Sequence, residues 1–170
     1  DELSYFTKIY QKVEDFRFAP VKASYFFAEC ISGMSLDLET RNIQLLYQCD
    51  VGEDVEIVID EEKLQRVAAN IEGNAVKYIQ REQGMILVNV EDQGSFIQVM
   101  IRDNGKGIGK EELPFIFERF YRTDSSRNSR TGGSGLGLAI AKKIMDEHGG
   151  RIWAESELGK GTEVYFTLKK

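Results

Sequence analysis

Two largely apolar, β-branched runs face each other across a short turn in "MILVNVEDQGSFIQVMIRD", residues 85 to 103. Gly94 and Ser95 mark the turn, and runs of this kind about such a turn read as a β-hairpin. What flanks the hairpin narrows the fold further. Before it, Leu64, Val67, Ala68, Ile71, Ala75 and Ile79 recur at the helical period of an amphipathic segment, with Asp60 placed to cap its start. After it, "GLGLAIAKKIMDEHGG" forms a second helix ended by a glycine pair, and "RIWAESELGKGTEVYFTL" forms two more strands about a glycine-containing turn. "IQLLYQC" and "DVEIVI" precede the first helix as strands. The order β-β-α-β-β-loop-α-β-β predicts an α/β (α+β) two-layer sandwich, a mixed sheet covered on one face by helices.

The remaining N-terminal segments are helical by pattern. In "LSYFTKIYQKVEDF", Leu3, Phe6, Ile9, Tyr10, Val13 and Phe16 lie at helical spacing, as in the tail of a helix continuing upstream. Pro20 interrupts, and "VKASYFFAECISGMSLDLETRN" resumes a helix through Tyr25, Phe26, Ala28 and Cys30 that weakens after Gly33. At 170 residues the chain is sized for one compact domain. No apolar run approaches the ~20 residues of a membrane span.

Charge limits the partners. With 22 basic against 28 acidic residues the net charge is −6, against general binding to nucleic acid or an anionic membrane, so any anionic ligand needs a local basic patch. Cys30 and Cys49 have no metal-type or CxxC spacing, and free thiols in a reducing compartment are expected.

Three stretches carry chemistry. In "NIEGNAVKY" (70–78), Asn70, Asn74 and Lys77 fall on one side of a helical wheel and form a polar stripe beside the core face that Leu64 begins. Tyr78 lies between that stripe and the core. "RDNGKGI" puts Asp103 at a strand end and Gly105 and Gly107 in a sharp turn, where a carboxylate can accept from an exocyclic amine. "GGSGLGLAI" leads glycines straight into a helix, so free N–H groups and the positive end of the dipole face an arriving anion. Arg122, Arg127 and Arg130, in "RTDSSRNSR", supply the basic patch.

These stretches resemble, in order, the motifs of the ATP-binding catalytic domain of sensor histidine kinases, in the superfamily of gyrase, MutL and heat-shock chaperone ATPases. "NIEGNAVKY" resembles the N box, "DNGKGI" the first glycine box, "PFIFERFYR" the F box, "GGSGLGLAI" the second glycine box and "GKGT" (159–162) the last. The resemblance covers roughly residues 16 to 168 and implies a Bergerat-type fold with a mobile ATP lid over 121–134.

Carried over residue by residue, it implies the cofactors ATP and Mg2+. Asn74 would offer its side-chain oxygen to Mg2+, with Asn70 alongside, a neutral ligand suited to a hard cation. Lys77 would contact phosphate, Tyr78 pack against adenine, and Asp103 bind the adenine amine. Gly105, Gly107 and Ile108 would shape the pocket. Tyr121 and Arg122 would lie at the lid, with Arg122 towards the terminal phosphate. Gly133, Ser134, Gly135, Leu136 and Gly137 would hold the phosphates, and Thr162 would complete the nucleotide site. Asn74, Lys77 and Arg122 are the expected catalytic residues. Two positions depart from the family pattern, Glu72 and Gly73. Glu72 falls on the opposite flank from the asparagines, and Gly73 costs roughly 1 kcal/mol against alanine.

The implied activity is transfer of the γ-phosphoryl group to a histidine on a helical hairpin outside this chain. His148 sits at a helix end before glycines, where a structural role is expected. Trp153 is expected to pack within its strand. Residues 1–16 would then end the dimerisation and phosphoacceptor hairpin, and 17–170 would form the catalytic domain. A response regulator receiver domain, a homodimer through the hairpin, and a cytoplasmic domain of a bacterial membrane protein complete the expectation. The rival is a nucleotide-binding regulatory module or an ATP-gated clamp, and Glu72 and Gly73 give the one hint towards a degenerate module.

Overall fold

The computed structural model describes residues 1–11, 15–80, 82–122 and 135–170. Among these, the elements run α1 (Glu2–Tyr10), β1 (Ala19–Lys22), α2 (Ala23–Thr40), β2 (Ile43–Asp50), β3 (Glu56–Ile59), α3 (Glu61–Tyr78), β4 (Gly84–Asp92), β5 (Phe96–Asp103), a 3-10 turn (Leu113–Phe115), α4 (Gly137–Glu147), β6 (Ile152–Glu157) and β7 (Gly161–Lys169). β2, β4, β5, β7 and β6 form a five-stranded sheet in that order, and β1 pairs with β3 in a separate ribbon. β2 and β4 are parallel, because the β3–α3 crossover returns the chain in the same direction. The other pairs are antiparallel: short turns join β4 to β5 and β6 to β7, and β7 then pairs with β5. The mixed two-layer architecture is as the sequence predicts.

Alternation places the core. Ile86, Val88 and Val90 on β4, Ile97, Val99 and Ile101 on β5, and Val164, Phe166 and Leu168 on β7 point to one face and are buried. Leu64, Val67, Ala68 and Ile71 of α3 and Ile140, Ile144 and Met145 of α4 join the same core. The opposite sheet face carries Gln98, Arg102, Glu163 and Tyr165 and has no helix on it among the described residues. Asp60 caps α3 through Lys63 N (3.1 Å), and Glu61 and Glu62 occupy its positive end with Lys77 in the last turn.

Three local expectations are corrected. Pro20 lies within β1, paired with Val58, since a two-stranded ribbon leaves the missing N–H on its open side. α2 does not weaken at Gly33 but continues to Thr40, because Met34 and Leu38 are buried beyond it. α1 stops at Tyr10, and Asp15 to Phe18 is not helical. Phe16 instead stacks on Phe18 (5.6 Å between ring centres), and both rings meet His148 edge-on. Val13 lies outside the described residues. Phe6 and Ile9 of α1 are buried in the main core. No helix among the described residues is long and apolar enough to cross a membrane.

Candidate nucleotide site

The end of β5, the last turns of α3 and the start of α4 converge at one edge of the sheet. Asp103, the last residue of β5, is 5% exposed. Its Oδ1 accepts from Gly105 N at 2.8 Å, and the Thr162 amide of β7 also faces the carboxylate. Burial pushes the Asp103 carboxyl up to about 6, against the lowering effect of those two amides. A buried carboxylate with lone pairs left beyond two backbone donors suits an exocyclic amine.

The glycines of this turn are required by the protein itself. A Cβ on Gly105 would lie 2.6 Å from Tyr78 O, and one on Gly107, where φ is +79°, would overlap the Glu157 carbonyl. The turn is thus clamped between α3 and the β6–β7 hairpin. Lys106 N donates to Tyr78 O (3.1 Å), and Gly159 N donates to Lys106 O (2.7 Å). Ile108 is buried and donates its amide to Ser156 Oγ (2.7 Å). Ser156 Oγ also meets Thr162 Oγ1 at 2.8 Å. Thr162 therefore supports the turn from beneath.

The polar flank of α3 divides. Asn70 Nδ2 donates to Gly137 O at 2.9 Å, tying α3 to the first turn of α4, so its carboxamide is partly committed to the fold. Asn74 is half-buried and makes no hydrogen bond to a described residue, which leaves its oxygen available. The set fits a hard cation bound through one neutral oxygen, the remaining positions falling to ligand and water. Among the described residues no group of three or more His, Cys, Asp or Glu converges to form an all-protein cage.

Beside Asn74 stand cations. Burial lowers the Lys77 ammonium below its ordinary value, and the charges of Arg122 and Lys106 lower it further, against a smaller opposing effect of Glu2. Lys77 Nζ and Lys106 Nζ lie 5.9 and 4.8 Å from the centre of the Tyr78 ring, itself 5% exposed. Lys106 is the site residue that motif reasoning missed. Its position between two required glycines drew attention to the backbone and away from the one long side chain.

The structure brings Asn70, Asn74, Lys77, Tyr78, Asp103, Gly105, Gly107, Ile108 and Thr162 to this edge, with Gly137 at the start of α4. Leu136 is fully buried in the core. Gly135, with φ +80°, meets the F-box backbone, since Phe120 N donates to Gly135 O (2.9 Å). Tyr121 packs at the core margin with its hydroxyl on Glu112 (3.1 Å). Gly133, Ser134, Arg127, Arg130 and most of the expected lid lie outside the described residues.

Away from the site, Glu72 is 8% exposed and turns towards α2. Burial, the charge of Asp37 and a hydrogen bond with it push Glu72 up to about 7, while Arg41 acts in the opposite direction. A Cβ on Gly73 would meet nothing within 4 Å. His148 is a structural group: Nδ1 faces Ile144 O (2.8 Å), Nε2 accepts from Asp60 N (3.1 Å), and burial lowers its pKa. Trp153 stacks on Tyr165 across β6 and β7 at 5.1 Å. Both cysteines are free, and burial pushes the Cys30 thiol up to about 12.

The profile of the Histidine kinase-, DNA gyrase B-, and HSP90-like ATPase family matches residues 59–170. The sensor histidine kinase WalK of Bacillus subtilis (strain 168) is 43% identical over 117 residues, 68% of this chain and 19% of that protein. Full-length ShkA, solved in complex with AMPPNP, superposes with a TM-score of 0.82 at 26% identity, over 98% of this chain and 34% of that one. Histidine kinase ThkA in complex with the response regulator TrrA gives 0.74 at 26% identity, over 99% of this chain and 48% of that one. The chain spans 18% to 33% of the length of the curated relatives it matches. With the site's geometry and a family profile covering well over half of its residues in agreement, this chain belongs to the histidine kinase-, DNA gyrase B- and HSP90-like ATPases, as an ATP-binding catalytic domain of the histidine kinase type.

Proposed function

We propose that this domain binds Mg-ATP across the edge formed by α3, the Asp103 turn and α4, and transfers the γ-phosphoryl group to a histidine on a helical hairpin outside this chain. The observation that carries the reading is a buried carboxylate at Asp103, whose turn packs on Tyr78, together with Lys77 near the same ring and the charge of Arg122 acting against it. That arrangement matches a ligand with an amine at one end and several negative charges at the other. Asp103 accepts from the adenine amine and Tyr78 forms a wall for the base. Lys77 and Arg122 neutralise the phosphates, and Asn74 supplies the protein oxygen of the metal shell. Mg2+, when bound, neutralises charge that develops on the transferring group. Catalysis of this kind rests on positioning and charge, which suits a site with no covalent nucleophile.

The complex of ThkA with TrrA supports a response regulator as the downstream partner. A hairpin-mediated homodimer and a membrane-bound parent protein belong to the same reading, with the boundary between hairpin and catalytic domain near residue 16. Glu72 faces Asp37 of α2 and a side chain at Gly73 would meet nothing within 4 Å, so the one hint favouring a degenerate regulatory module carries little weight. Mixing the chain with ATP and a fragment bearing the acceptor hairpin should place acid-labile phosphate on that fragment. Nucleotide binding without labelling of any competent hairpin would refute the kinase assignment.

A further inference from the structure

The turn "DNGKGI" presents one long side chain, and its placement has a consequence for the ligand. Lys106 needs no side chain to hold its backbone. Its amide is on Tyr78 O at 3.1 Å and its carbonyl receives Gly159 N at 2.7 Å. The side chain nonetheless brings Nζ over the Tyr78 ring at 4.8 Å, where Lys77 Nζ also lies at 5.9 Å from the same ring centre. Both ammonium groups thus stand near one ring, and the charge of Lys106 acts against that of Lys77.

Carboxylates do not relieve this crowding. In a chain with 28 acidic residues, the ion pairs of the described residues include neither Lys77 nor Lys106. Glu2 acts on Lys77 from a distance and only partly offsets the two neighbouring cations, Arg122 and Lys106. Like charges acting on each other in this way repel, and a bound anion would relieve that repulsion. An ammonium is a donor only, so such a group has no use for the amine edge of a base that Asp103 already serves.

We propose that Lys106 is a further ligand-binding residue of this site, its Nζ contacting the polyphosphate of the nucleotide beside Lys77 and Arg122. The inference rests on the Mg-ATP reading above and adds a residue that the motifs do not assign. It makes the site of this chain select for the number of phosphates. Affinity rises from adenosine to ADP to ATP in part through a lysine carried by the same turn that recognises the base.

The test is calorimetric titration of the 170-residue chain, and of its Lys106→Ala and Lys106→Arg variants, with Mg-ATP, Mg-ADP and adenosine at low and moderate salt. Lys106→Ala should weaken ATP binding about tenfold and ADP binding less, leave adenosine unchanged, and make the salt dependence of ATP binding shallower. Lys106→Arg should restore most of the loss. A melting temperature for Lys106→Ala no lower than that of the parent chain confirms that the backbone alone holds the turn. ATP affinity equal to that of the parent chain overturns the proposal, as does an equal loss for adenosine and ATP, which would mark a disturbed turn. If the parent chain itself binds none of the three, the Mg-ATP reading fails and this inference with it.

Discussion

The two ends of the candidate site are built on opposite principles. At the Asp103 end, covalent geometry and backbone hydrogen bonds fix everything. Gly105 fits under Tyr78 O, Gly107 takes a positive φ against Glu157, and Thr162 and Ser156 hold the floor. At the Lys77 end, long side chains converge against their own repulsion around one ring. The first end is preorganised and needs no ligand to hold its shape. The second gathers cations that act against one another, an arrangement that the proposed polyphosphate would neutralise. On the Mg-ATP reading, the contrast divides the binding energy between shape and a buried acceptor at the base and electrostatics at the phosphates.

Removing the acceptor should break the contrast most severely. Asp103→Ala deletes a charge-assisted hydrogen bond, of order 1.5–3 kcal/mol, so binding of adenosine, ADP and ATP alike should fall about 10- to 100-fold by calorimetry. Because the Asp103 carboxyl is pushed up to about 6, adenosine affinity should rise with pH as the carboxylate forms, and level off above about 7. A pH-independent adenosine affinity would remove Asp103 from base recognition. The rigidity of this end is tested by Gly107→Ala, which forces a side chain into a left-handed backbone and against the Glu157 carbonyl. It should lower stability by about 1–3 kcal/mol in a denaturant titration.

Two further changes, on the helix that carries the Lys77 end, ask whether that helix is tuned for stability or for its ligand. Glu72 has a folded pKa of about 7, above its ordinary 4.5, so the folded state holds a proton that the unfolded chain has lost between those values. Stability from this group is fully present below about 4.5 and is lost as pH rises to about 7. Glu72→Gln should therefore stabilise the chain more at pH 8 than at pH 4, as read from melting temperatures. Equal effects at both would show that Asp37 does not face a titrating group. Gly73→Ala, on an exposed position with open space, should raise stability by about 0.5–1 kcal/mol and leave nucleotide affinity unchanged.

Much of this was legible in the residues, unevenly. The β4–β5 hairpin, α3, α4 and the β6–β7 hairpin follow from periods and turn residues, since each buries one face. β1 was hidden because Pro20 reads as a breaker, and a ribbon edge where its missing N–H costs nothing is a tertiary fact. The end of α1 was misjudged because Phe16 keeps helical spacing while satisfying a different neighbour, His148. At the site, the asparagine stripe and the Asp103 turn are visible on a wheel and in a motif. That Gly105 and Gly107 accommodate the protein's own backbone, that Asn70 is bonded to Gly137, and that Lys106 joins Lys77 over one ring depend on contacts between distant segments.

Binding of Mg-ATP at this edge through Asn74 can be read by titrating ATP into the chain and into Asn74→Ala, each with and without Mg2+. Mg2+ should strengthen binding to the parent chain, this gain should be lost in Asn74→Ala, and both proteins should melt at closely similar temperatures. An equal Mg2+ gain in the two proteins, or no ATP binding by the parent chain, would contradict binding through Asn74.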